Sequence, residues 1–310
     1  FQEHLQRIQN PDRLHQLISG LVNASFCHTH SGRSYGDPHI ITYDNTSYSF
    51  QTVGEFVLSK VGATFEIQAR QKPQRDDFSL NSALAIRFFN DTVAYYADDV
   101  PDGSNRSLWY NGQALILEGR TYYLPCGGTV RLVGKDYIIS GPMGEKIVFD
   151  VRGSGSRRFV NVTVSIPSCM ETNISGLLGN GNGDRYDEFQ SNNRMASNAL
   201  SGFSGMNSDP FMAMTQQAEQ LYQMQLTKDY AEAFRVTRTT TLFTYRPGLN
   251  TDFYTDRTFP RIIRTFHEIP NSQRDAARNR CLQMGVSEAE MNGCIFDVHY
   301  LDLPPNPSPN

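Results

Sequence analysis

From about residue 38 to residue 165 the sequence is a succession of short runs in which apolar and polar residues alternate, separated by turns rich in Gly, Asn and Asp. The runs include HIITY, YSFQTV, EFVLSKV, TFEIQAR, LAIRFF, TVAYYA, TYYLP, TVRLV, DYIIS and KIVFDV. A period of two is typical of half-buried strands, and the GK between TVRLV and DYIIS indicates a two-residue hairpin. Because no helical pattern interrupts the runs, the sequence predicts a mainly β fold, an antiparallel sandwich rather than a parallel sheet.

After these strands the pattern changes. Residues 190–209 (QSNNRMASNALSGFSGMNSD) read as a polar loop. Beyond Pro210, apolar residues recur at every fourth position, which is the spacing of one face of a helix. These residues are Met214, Ala218, Tyr222, Leu226, Tyr230 and Phe234. A stripe of this kind is typical of packing against a core, and we interpret it in that way.

The C-terminal part of the chain carries mixed signals. The segment TTTLFTY (239–245) reads as a strand, and residues 272–284 read as a helix. Ser287-x-x-Glu290 has the form of a capping box, which marks the start of a second helix. We therefore predict four parts: the tail of a preceding module with a short helix broken at Pro11 (1–26), a β domain (27–200), an extension with helices and a cysteine pair (201–303), and a linker (304–310).

Charge and hydropathy limit the partners. The 310 residues include 28 Lys and Arg against 32 Asp and Glu, and no basic stripe is present, so we expect no nucleic-acid partner. No run approaches the roughly 18 apolar residues that a membrane helix needs, so we expect no membrane span in this chain. An anchor elsewhere in a longer parent protein stays open, because the chain reads as a mature product or a fragment.

Six N-x-S/T sequons favour a secreted or cell-surface glycoprotein. They lie at Asn23, Asn45, Asn90, Asn105, Asn161 and Asn173. The five cysteines are too sparse for a disulfide scaffold and form no C-x-x-C zinc motif, but disulfides are expected in an oxidising compartment. Their odd number leaves one thiol free or bonded to a segment outside this chain.

The segment GLLGNGNGDRYDEF (176–189) concentrates oxygen donors on a glycine-rich turn. The donors are Asn180, Asn182, Asp184, Asp187 and Glu188. Glycines allow the backbone to fold so that such oxygens converge on a hard cation, and Ca²⁺ takes about six to eight of them. The loop is not an EF-hand, because Arg185 stands where the glycine belongs, and it lacks the Lys-Ser/Thr of a phosphate loop. A solvated turn without an ion is the alternative.

Two segments together resemble a known family. GDPHIITYDNTSYSFQTVGEFVL (36–58) and GLLGNGNGDRYDEF are similar to the motifs GDPHxxTFDGxxYxFxxxGEFxL and GLxGNxNGDxxDDF of the von Willebrand factor type D module. Leu178, where most members carry a cysteine, together with LFTY (242–245) and C-x(12)-CIFDV (281–298), is similar to one subgroup. That subgroup holds the transmembrane mucins, the sushi-domain-containing membrane proteins and the insect junction protein Mesh. The resemblance covers about residues 27–300, although a helical stretch near 205–235 fits the subgroup poorly.

The resemblance implies a β-sandwich with a Ca²⁺ site shared between the two motifs. By position, Asp37 of the first motif would join the donors of the second. The implied ligands are Asp37, Asn180, Asn182, Asp184 through its side chain or backbone, Asp187 and Glu188. Glu188 departs from the usual Asp, which bears on affinity more than on the identity of the ion. We therefore predict Ca²⁺ as a bound cofactor.

The resemblance also implies cleavage between Asp37 and Pro38, because similar family members are often cut at this bond without a protease. A protonated aspartic acid can attack its own main-chain carbonyl and form a cyclic anhydride while the proline nitrogen leaves, and backbone strain lowers the barrier. His39 could supply the proton that the nitrogen needs. The alternative reading of His39 is an ordinary strand residue. Mildly acidic secretory compartments would favour cleavage, and the two halves are expected to stay together.

Among the cysteines, Cys281 and Cys294 are expected to pair and close a helical hairpin. For Cys27, Cys126 and Cys169 the residues permit three pairings, and all three stay open.

Two functions compete. The first is an extracellular structural and interaction module of an adhesive, mucin-like or matrix-forming glycoprotein, whose partners are other extracellular glycoproteins or copies of itself. It would perform no chemistry beyond cutting itself. The alternative is a secreted enzyme on a type D scaffold, either luciferase-like or metal-dependent, with His28-x-His30 and Asp37 as a metal centre. No G-x-S-x-G elbow or Cys/His signature supports the enzyme.

Overall fold

The computed structural model describes residues 27–170, 173–185, 187–189 and 215–301. The predictions for the N-terminal tail with its short helix and Asn23, for the polar loop with Met214, and for the C-terminal linker lie outside the described residues. Among the described residues, no helix is long and apolar enough to cross a membrane.

The described residues contain fifteen strands. They are β1 (Thr29–Tyr35), β2 (His39–Ile41), β3 (Ser47–Ser49), β4 (Gly54–Val61), β5 (Phe65–Pro73), β6 (Ser79–Phe88), β7 (Asp91–Tyr96), β8 (Leu108–Tyr110), β9 (Gln113–Ala114), β10 (Tyr122–Tyr123), β11 (Thr129–Val133), β12 (Asp136–Ser140), β13 (Lys146–Arg152), β14 (Phe159–Pro167) and β15 (Ile174–Ser175). An eight-stranded sheet has the order β10-β11-β12-β13-β14-β1-β2-β3, and a seven-stranded sheet has the order β15-β4-β5-β6-β7-β8-β9. All neighbouring strands are antiparallel, and the predicted β11–β12 hairpin is confirmed.

The two sheets pack face to face over one apolar core. In β14, Val160, Val162, Val164 and Ile166 are almost fully buried and alternate with more polar residues. They share the core with residues of the other sheet such as Ile86. Burying one such side chain stabilises the fold by about 1.5–3 kcal/mol. The predicted antiparallel sandwich with a helical extension is confirmed.

The described part of the extension (215–301) contains four α-helices, which are α1 (Gln216–Gln225), α2 (Ala231–Phe234), α3 (Asn271–Gln283) and α4 (Met291–Tyr300). A π-helical turn (Leu226–Tyr230) joins α1 to α2, and 3₁₀ turns lie at Thr251–Tyr254, Phe266–Glu268 and Glu288–Glu290, with a further one in the sandwich at Gly155–Arg157. The hydroxyl of Thr215 caps α1 by accepting from Ala218 N at 3.2 Å. Tyr222, Leu226 and Tyr230 are buried in the sandwich core, so the apolar stripe is core packing as predicted.

The predicted strand at 239–245 is wrong. This segment crosses the outer face of the second sheet and takes its hydrogen bonds from side chains of that sheet. Leu242 N donates to Gln68 Oε1 at 2.9 Å, and Thr244 N donates to the Tyr96 hydroxyl at 2.8 Å. Phe243 packs over the same face, so β6 is buried on both sides.

The end of the chain forms a helical hairpin, α3 and α4, joined by the Cys281–Cys294 disulfide. The predicted capping box does not form, because the Ser287 hydroxyl donates to the Glu290 carboxylate at 2.6 Å and caps no backbone group. A second disulfide joins Cys27 to Cys169, at neighbouring ends of β1 and β14. Cys126 is buried and in neither disulfide, so the folded domain does not offer it to another chain.

Candidate functional site

The two motif segments meet at one end of the sandwich. Tyr43, in the turn between β2 and β3, donates its backbone N–H to the Leu178 carbonyl at 2.9 Å. Its neighbour Asp44 accepts the backbone N–H of Gly183 through Oδ1 at 3.0 Å. The early motif is therefore held directly against the asparagine-rich loop.

Within that loop the donor side chains gather around Asp187. Its carboxylate accepts from Asn180 Nδ2 at 3.1 Å and from Asn182 Nδ2 at 2.7 Å. The Glu188 carboxylate accepts from Asn180 N at 3.3 Å. Asp184 is exposed, and its backbone N–H donates to Asn182 Oδ1 at 2.7 Å. The structure thus brings four of the predicted side chains together and leaves that of Asp184 at the rim.

Two carboxylate oxygens beside this loop, Asp44 Oδ2 and Glu188 Oε1, are buried and make no well-aligned hydrogen bond within the described residues. Burial raises the pKa of Glu188 to about 7, and the neighbouring charge of Asp44 adds to the shift. Gly179 has a φ of +84° and lies so close that a Cβ there would overlap the Glu188 carboxylate. The loop is built tightly around a carboxylate that forms no ion pair within the described residues.

These donors are of the chemical types that suit a hard divalent cation, but in this structure the carboxylate oxygens of Asp44, Asp187 and Glu188 do not all lie close enough together to share one ion. Carboxylates of Asp44, Asp187 and Glu188, with the amide oxygens of Asn180 and Asn182, are the ligand types that Ca²⁺ prefers. The ion would replace the amide N–H groups that now satisfy Asp187, with the amide oxygens turned inward. Sequence reasoning missed Asp44, although it lies in the turn directly after the strand HIITY, in the same motif.

Asp37 does not belong to this site, and its assignment as a calcium ligand is corrected. It lies in the turn between β1 and β2, whereas Asp44 lies in the turn that follows β2. Because a strand extends by about 3.3 Å per residue, β2 carries the two aspartates apart. The side chain of Asp37 faces His39 and Asp297 instead.

Asp37, His39 and Asp297 form a second, buried cluster. Nε2 of His39 lies 2.6 Å from Asp37 Oδ1 and 2.9 Å from Asp297 Oδ1. Nδ1 of the same ring lies 2.9 Å from the Ser49 hydroxyl. All three side chains of the cluster are at most 6% exposed, and neither oxygen of Asp37 makes a well-aligned hydrogen bond within the described residues. The cluster could hold protons or a single metal ion.

Electrostatics favours protons on this cluster. Burial raises the pKa of Asp37 well above its usual range, and the charge of Asp297 raises it further against the opposing effect of His39. Burial alone would lower the pKa of His39, but the charges of Asp37 and Asp297 overcome it and raise that pKa to about 10. Both shifts favour protons on Asp37 and His39, so these two groups hold protons to higher pH than they would in water.

The Asp37 carbonyl, which belongs to the Asp37–Pro38 bond, accepts a hydrogen bond from Gln51 Nε2. The amide of Gln51 is oriented by its other end, since Oε1 accepts from Ser79 N at 3.0 Å. On the other side of the turn, Gly36 N donates to Asn161 Oδ1 at 3.0 Å. The turn is thus held by two side chains, Gln51 from the connection after β3 and Asn161 from β14, and Gln51 is itself anchored to β6.

Comparison with known proteins decides the family. The model of the von Willebrand factor type D domain matches residues 32–195. The chain belongs to this family. The match includes both motifs and both clusters except Asp297, which lies in the extension.

Relatives of the type D domain match part of this chain. Human (Homo sapiens) sushi domain-containing protein 2 is 27% identical over 164 residues, or 50% of this chain. Zonadhesin of Oryctolagus cuniculus is 25% identical over 185 residues (56%), and human IgGFc-binding protein is 29% identical over 187 residues (57%). The matches cover 19%, 7% and 3% of those proteins, so this chain spans less than a fifth of any of them.

The sequence-predicted metal centre of His28, His30 and Asp37 is not formed. Among the described residues, the one group of three such side chains close enough to share an ion is Asp37, His39 and Asp297. His28 is exposed, and His30 lies in β1 opposite Ile166. The geometry therefore gives no support to a metal-dependent enzyme at this position of the type D domain.

The sequons differ in exposure. Four of them are exposed: Asn45, Asn90, Asn105 and Asn173. Asn161 is buried, and its side-chain oxygen holds the Gly36 N–H, so the folded domain leaves no room for a glycan there. The prediction of glycosylation at Asn161 is corrected on these grounds, while the exposed sites stay predictions.

Proposed function

We propose that this chain is a calcium-stabilised interaction module of a secreted or cell-surface glycoprotein, and that it cuts its own backbone between Asp37 and Pro38. The observation that carries the calcium proposal is the pair of buried carboxylate oxygens, on Asp44 and Glu188, that make no well-aligned hydrogen bond within the described residues. Unpaired buried carboxylates are costly, and a divalent ion would remove that cost.

The Ca²⁺ ion would be held by Asp44, Asn180, Asn182, Asp187 and Glu188, with Asp184 at the rim. The ion supplies positive charge that neutralises the crowded carboxylates. The protein residues do the rest, since Asp44 is fixed by the β2–β3 turn and Glu188 by the closely packed Gly179 backbone. Binding would lock the early motif to the late loop and so stiffen this end of the sandwich.

Four exposed sequons, two disulfides and the family support an extracellular setting. One relative is named for binding IgG Fc, which indicates that a protein of this family can serve a protein partner. We therefore propose other extracellular glycoproteins, or copies of this chain, as partners. The parent protein could carry a membrane anchor outside this chain. We propose no turnover of a separate substrate.

Support for self-cleavage comes from the surroundings of the Asp37–Pro38 bond. The Asp37 carboxyl oxygen forms a bond to its own main-chain carbonyl carbon, which gives a five-membered cyclic tetrahedral intermediate. Gln51 Nε2 donates to the carbonyl oxygen that gains negative charge in this step. The C–N bond then breaks, its electron pair stays on the nitrogen of Pro38, and a cyclic anhydride remains on Asp37.

The leaving nitrogen needs a proton, and His39 is the acid that the cluster offers. His39 gives its proton to the Pro38 nitrogen and takes the proton released by the Asp37 carboxyl. Water then adds to the anhydride, which leaves two carboxyl groups on Asp37 and a secondary amine on Pro38. The two chains stay paired because β2 keeps its partners β1 and β3.

Two measurements on the purified chain test the proposal. Removal of Ca²⁺ with EDTA should lower the melting temperature, because an ion that binds only the folded state stabilises it. Incubation for days at pH 5 to 6 should produce two bands on a reducing gel, the second beginning at Pro38 by N-terminal sequencing. An unchanged melting curve rejects the calcium proposal, and a single intact band rejects the cleavage.

A further inference from the structure

Asp297 is the member of the buried cluster that comes from outside the motif. It lies on α4, in the C-terminal extension and beyond the segment that matches the family, 258 residues after His39. Its carboxylate accepts from His39 Nε2 at 2.9 Å. The cleavage turn is therefore completed by a side chain that reaches it only when the extension has docked.

The fit between α4 and the turn is close. A Cβ on Gly293 would lie 3.0 Å from the ring of His39, and a Cβ on Gly36 would lie 2.6 Å from Asp297 Oδ2. Gly36 also has a φ of +61°, which favours glycine. The ring of Phe296 packs edge-on against His39 at 5.9 Å between centroids. Because Gly36 and Gly293 have no side chains, α4 can approach the β1–β2 turn this closely.

Two contacts hold α4 in this place without touching His39. The Cys281–Cys294 disulfide ties the helix to α3. Just before the helix, Glu290 pairs with Arg33 on β1. Because neither contact involves His39, the docking of the extension can be weakened without changing the contact between Asp297 and His39.

We propose that Asp297 is a positioning residue for self-cleavage, and that the Asp37–Pro38 bond breaks efficiently only after the extension has docked on the β1–β2 turn. This inference rests on the self-cleavage proposed above. Asp297 takes part in no covalent step. It orients the imidazole through Nε2 and keeps a negative charge beside the two groups that must carry protons.

The charge of Asp297 has a measurable consequence. It raises the pKa of both Asp37 and His39, so its removal should lower both. Besides Asp37 and Asp297, the groups that contact His39 are the Tyr35 ring on β1, the Phe296 ring on α4 and the Ser49 hydroxyl on β3. Asp297 is therefore the acidic side chain from outside the motif that contacts His39, and its charge raises the pH at which the cluster loses its protons.

If Asp297 is needed, cleavage occurs only after the chain has folded and the extension has docked. A chain whose extension is undocked would keep an intact Asp37–Pro38 bond, because His39 lacks its partner. A cut chain would by then have both its sandwich and its extension assembled. The break would therefore occur in a folded molecule whose strands hold the two pieces together.

The experiment compares the wild-type chain with Asp297→Asn, Asp297→Glu and Glu290→Gln. The cleaved fraction is followed on reducing gels over time at several pH values. Asp297→Asn should slow cleavage on the order of tenfold to a hundredfold at pH 6 and move the midpoint of the pH profile to lower pH. Asp297→Glu keeps the charge and should keep the midpoint. Glu290→Gln, which weakens docking without touching His39, should leave the midpoint unchanged.

The outcomes are distinguishable. If the wild-type chain is never cut, the proposed self-cleavage itself fails. If the wild type is cut and Asp297→Asn is cut with the same rate and pH profile, self-cleavage stands and the role of Asp297 is overturned. If Asp297→Asn does not fold, as shown by loss of its cooperative melting transition, the test is the comparison of Asp297→Glu with the wild type. A shifted midpoint of the pH profile of cleavage in Asp297→Glu would also overturn the proposal.

Discussion

The two carboxylate clusters of this domain lie at opposite ends of β2 and differ in their access to water. The loop cluster around Asp187 is half-open, and Asn182 and Asp184 are exposed. The cluster of Asp37, His39 and Asp297 is sealed between the sandwich and α4. Both contain two or more carboxylates, yet we assign an ion to one and proton chemistry to the other.

The difference shows that the surroundings of a carboxylate, rather than its presence in a motif, determine its chemistry. A half-open loop can exchange a hydrated cation and offers neutral amide oxygens as additional ligands. A sealed site cannot hold several unpaired charges, because burying each costs several kcal/mol, so protons neutralise part of the charge. On the proposals made above, two aspartates of one short motif would serve different purposes.

The largest expected effect comes from removing the nucleophile. Asp37→Ala should abolish cleavage completely, because no other carboxyl can form the anhydride at this bond. The measurement is a reducing gel after incubation at pH 5 to 6. The shift of melting temperature on adding EDTA should match that of the wild type, since Asp37 lies outside the calcium loop.

Fragments that begin at Pro38 in the Asp37→Ala variant would reject the anhydride route. If the melting temperature of the same variant no longer responded to EDTA, Asp37 would be part of the calcium site, and the two clusters would be one site rather than two.

The next effect concerns calcium. Glu188→Gln should remove most of the Ca²⁺-dependent stabilisation, which for a saturated site at a hundredfold excess over Kd is about 2.7 kcal/mol. Cleavage should continue, because the sealed cluster is untouched. Differential scanning calorimetry with Ca²⁺ and with EDTA measures the change.

Glu145→Gln is the matched control for this variant. Glu145 is also buried, and burial likewise raises its pKa to about 7, but it bonds Met143 N in a different turn. Its replacement should leave the Ca²⁺-dependent shift intact. If both variants lose the shift equally, general destabilisation rather than ion binding explains it.

A smaller effect is the pH dependence of calcium binding at the loop cluster. Below about pH 7 Glu188 is protonated in the ion-free protein, so a proton must leave before Ca²⁺ binds, and affinity should fall by up to about tenfold per pH unit. Because the folded pKa of about 7 lies above the reference value of 4.5, the ion-free protein should gain stability as pH falls through this window.

Calcium titrations between pH 8 and pH 5.5, and melting curves in EDTA over the same range, measure these two trends. Cleavage should respond in the opposite sense to calcium binding, becoming faster as the pH falls. A calcium affinity that does not change with pH would remove Glu188 from the ligand set.

Much of the fold could be predicted from local pattern, since the strands of a sandwich alternate between core and surface. The strand predicted for TTTLFTY is wrong because the composition of this segment suits a strand, while its hydrogen-bond partners, Gln68 and Tyr96, are side chains far away in sequence. The alternation of apolar and polar residues cannot show whether a segment crosses the face of a sheet or pairs with its edge strand. β1, with the sequence THSGRSY, was missed for the opposite reason, because it is central yet has few apolar residues.

The candidate site was predictable in part. The loop donors Asn180, Asn182 and Asp187 follow from spacing on a glycine-rich turn, and the structure brings them together. Choosing Asp44 rather than Asp37 required knowing where β2 begins and ends. Asp297 stands in the CIFDV segment that the sequence singles out, but its contact with His39 could not be predicted, because 258 residues separate the two.

A Ca²⁺ titration by calorimetry, run on the wild-type chain, Asp37→Ala and Asp44→Ala, tests most directly whether the two aspartates belong to separate sites. We predict that Asp37→Ala binds Ca²⁺ with the affinity of the wild type, while Asp44→Ala binds at least about tenfold more weakly. Loss of binding in Asp37→Ala with retention in Asp44→Ala would contradict the account.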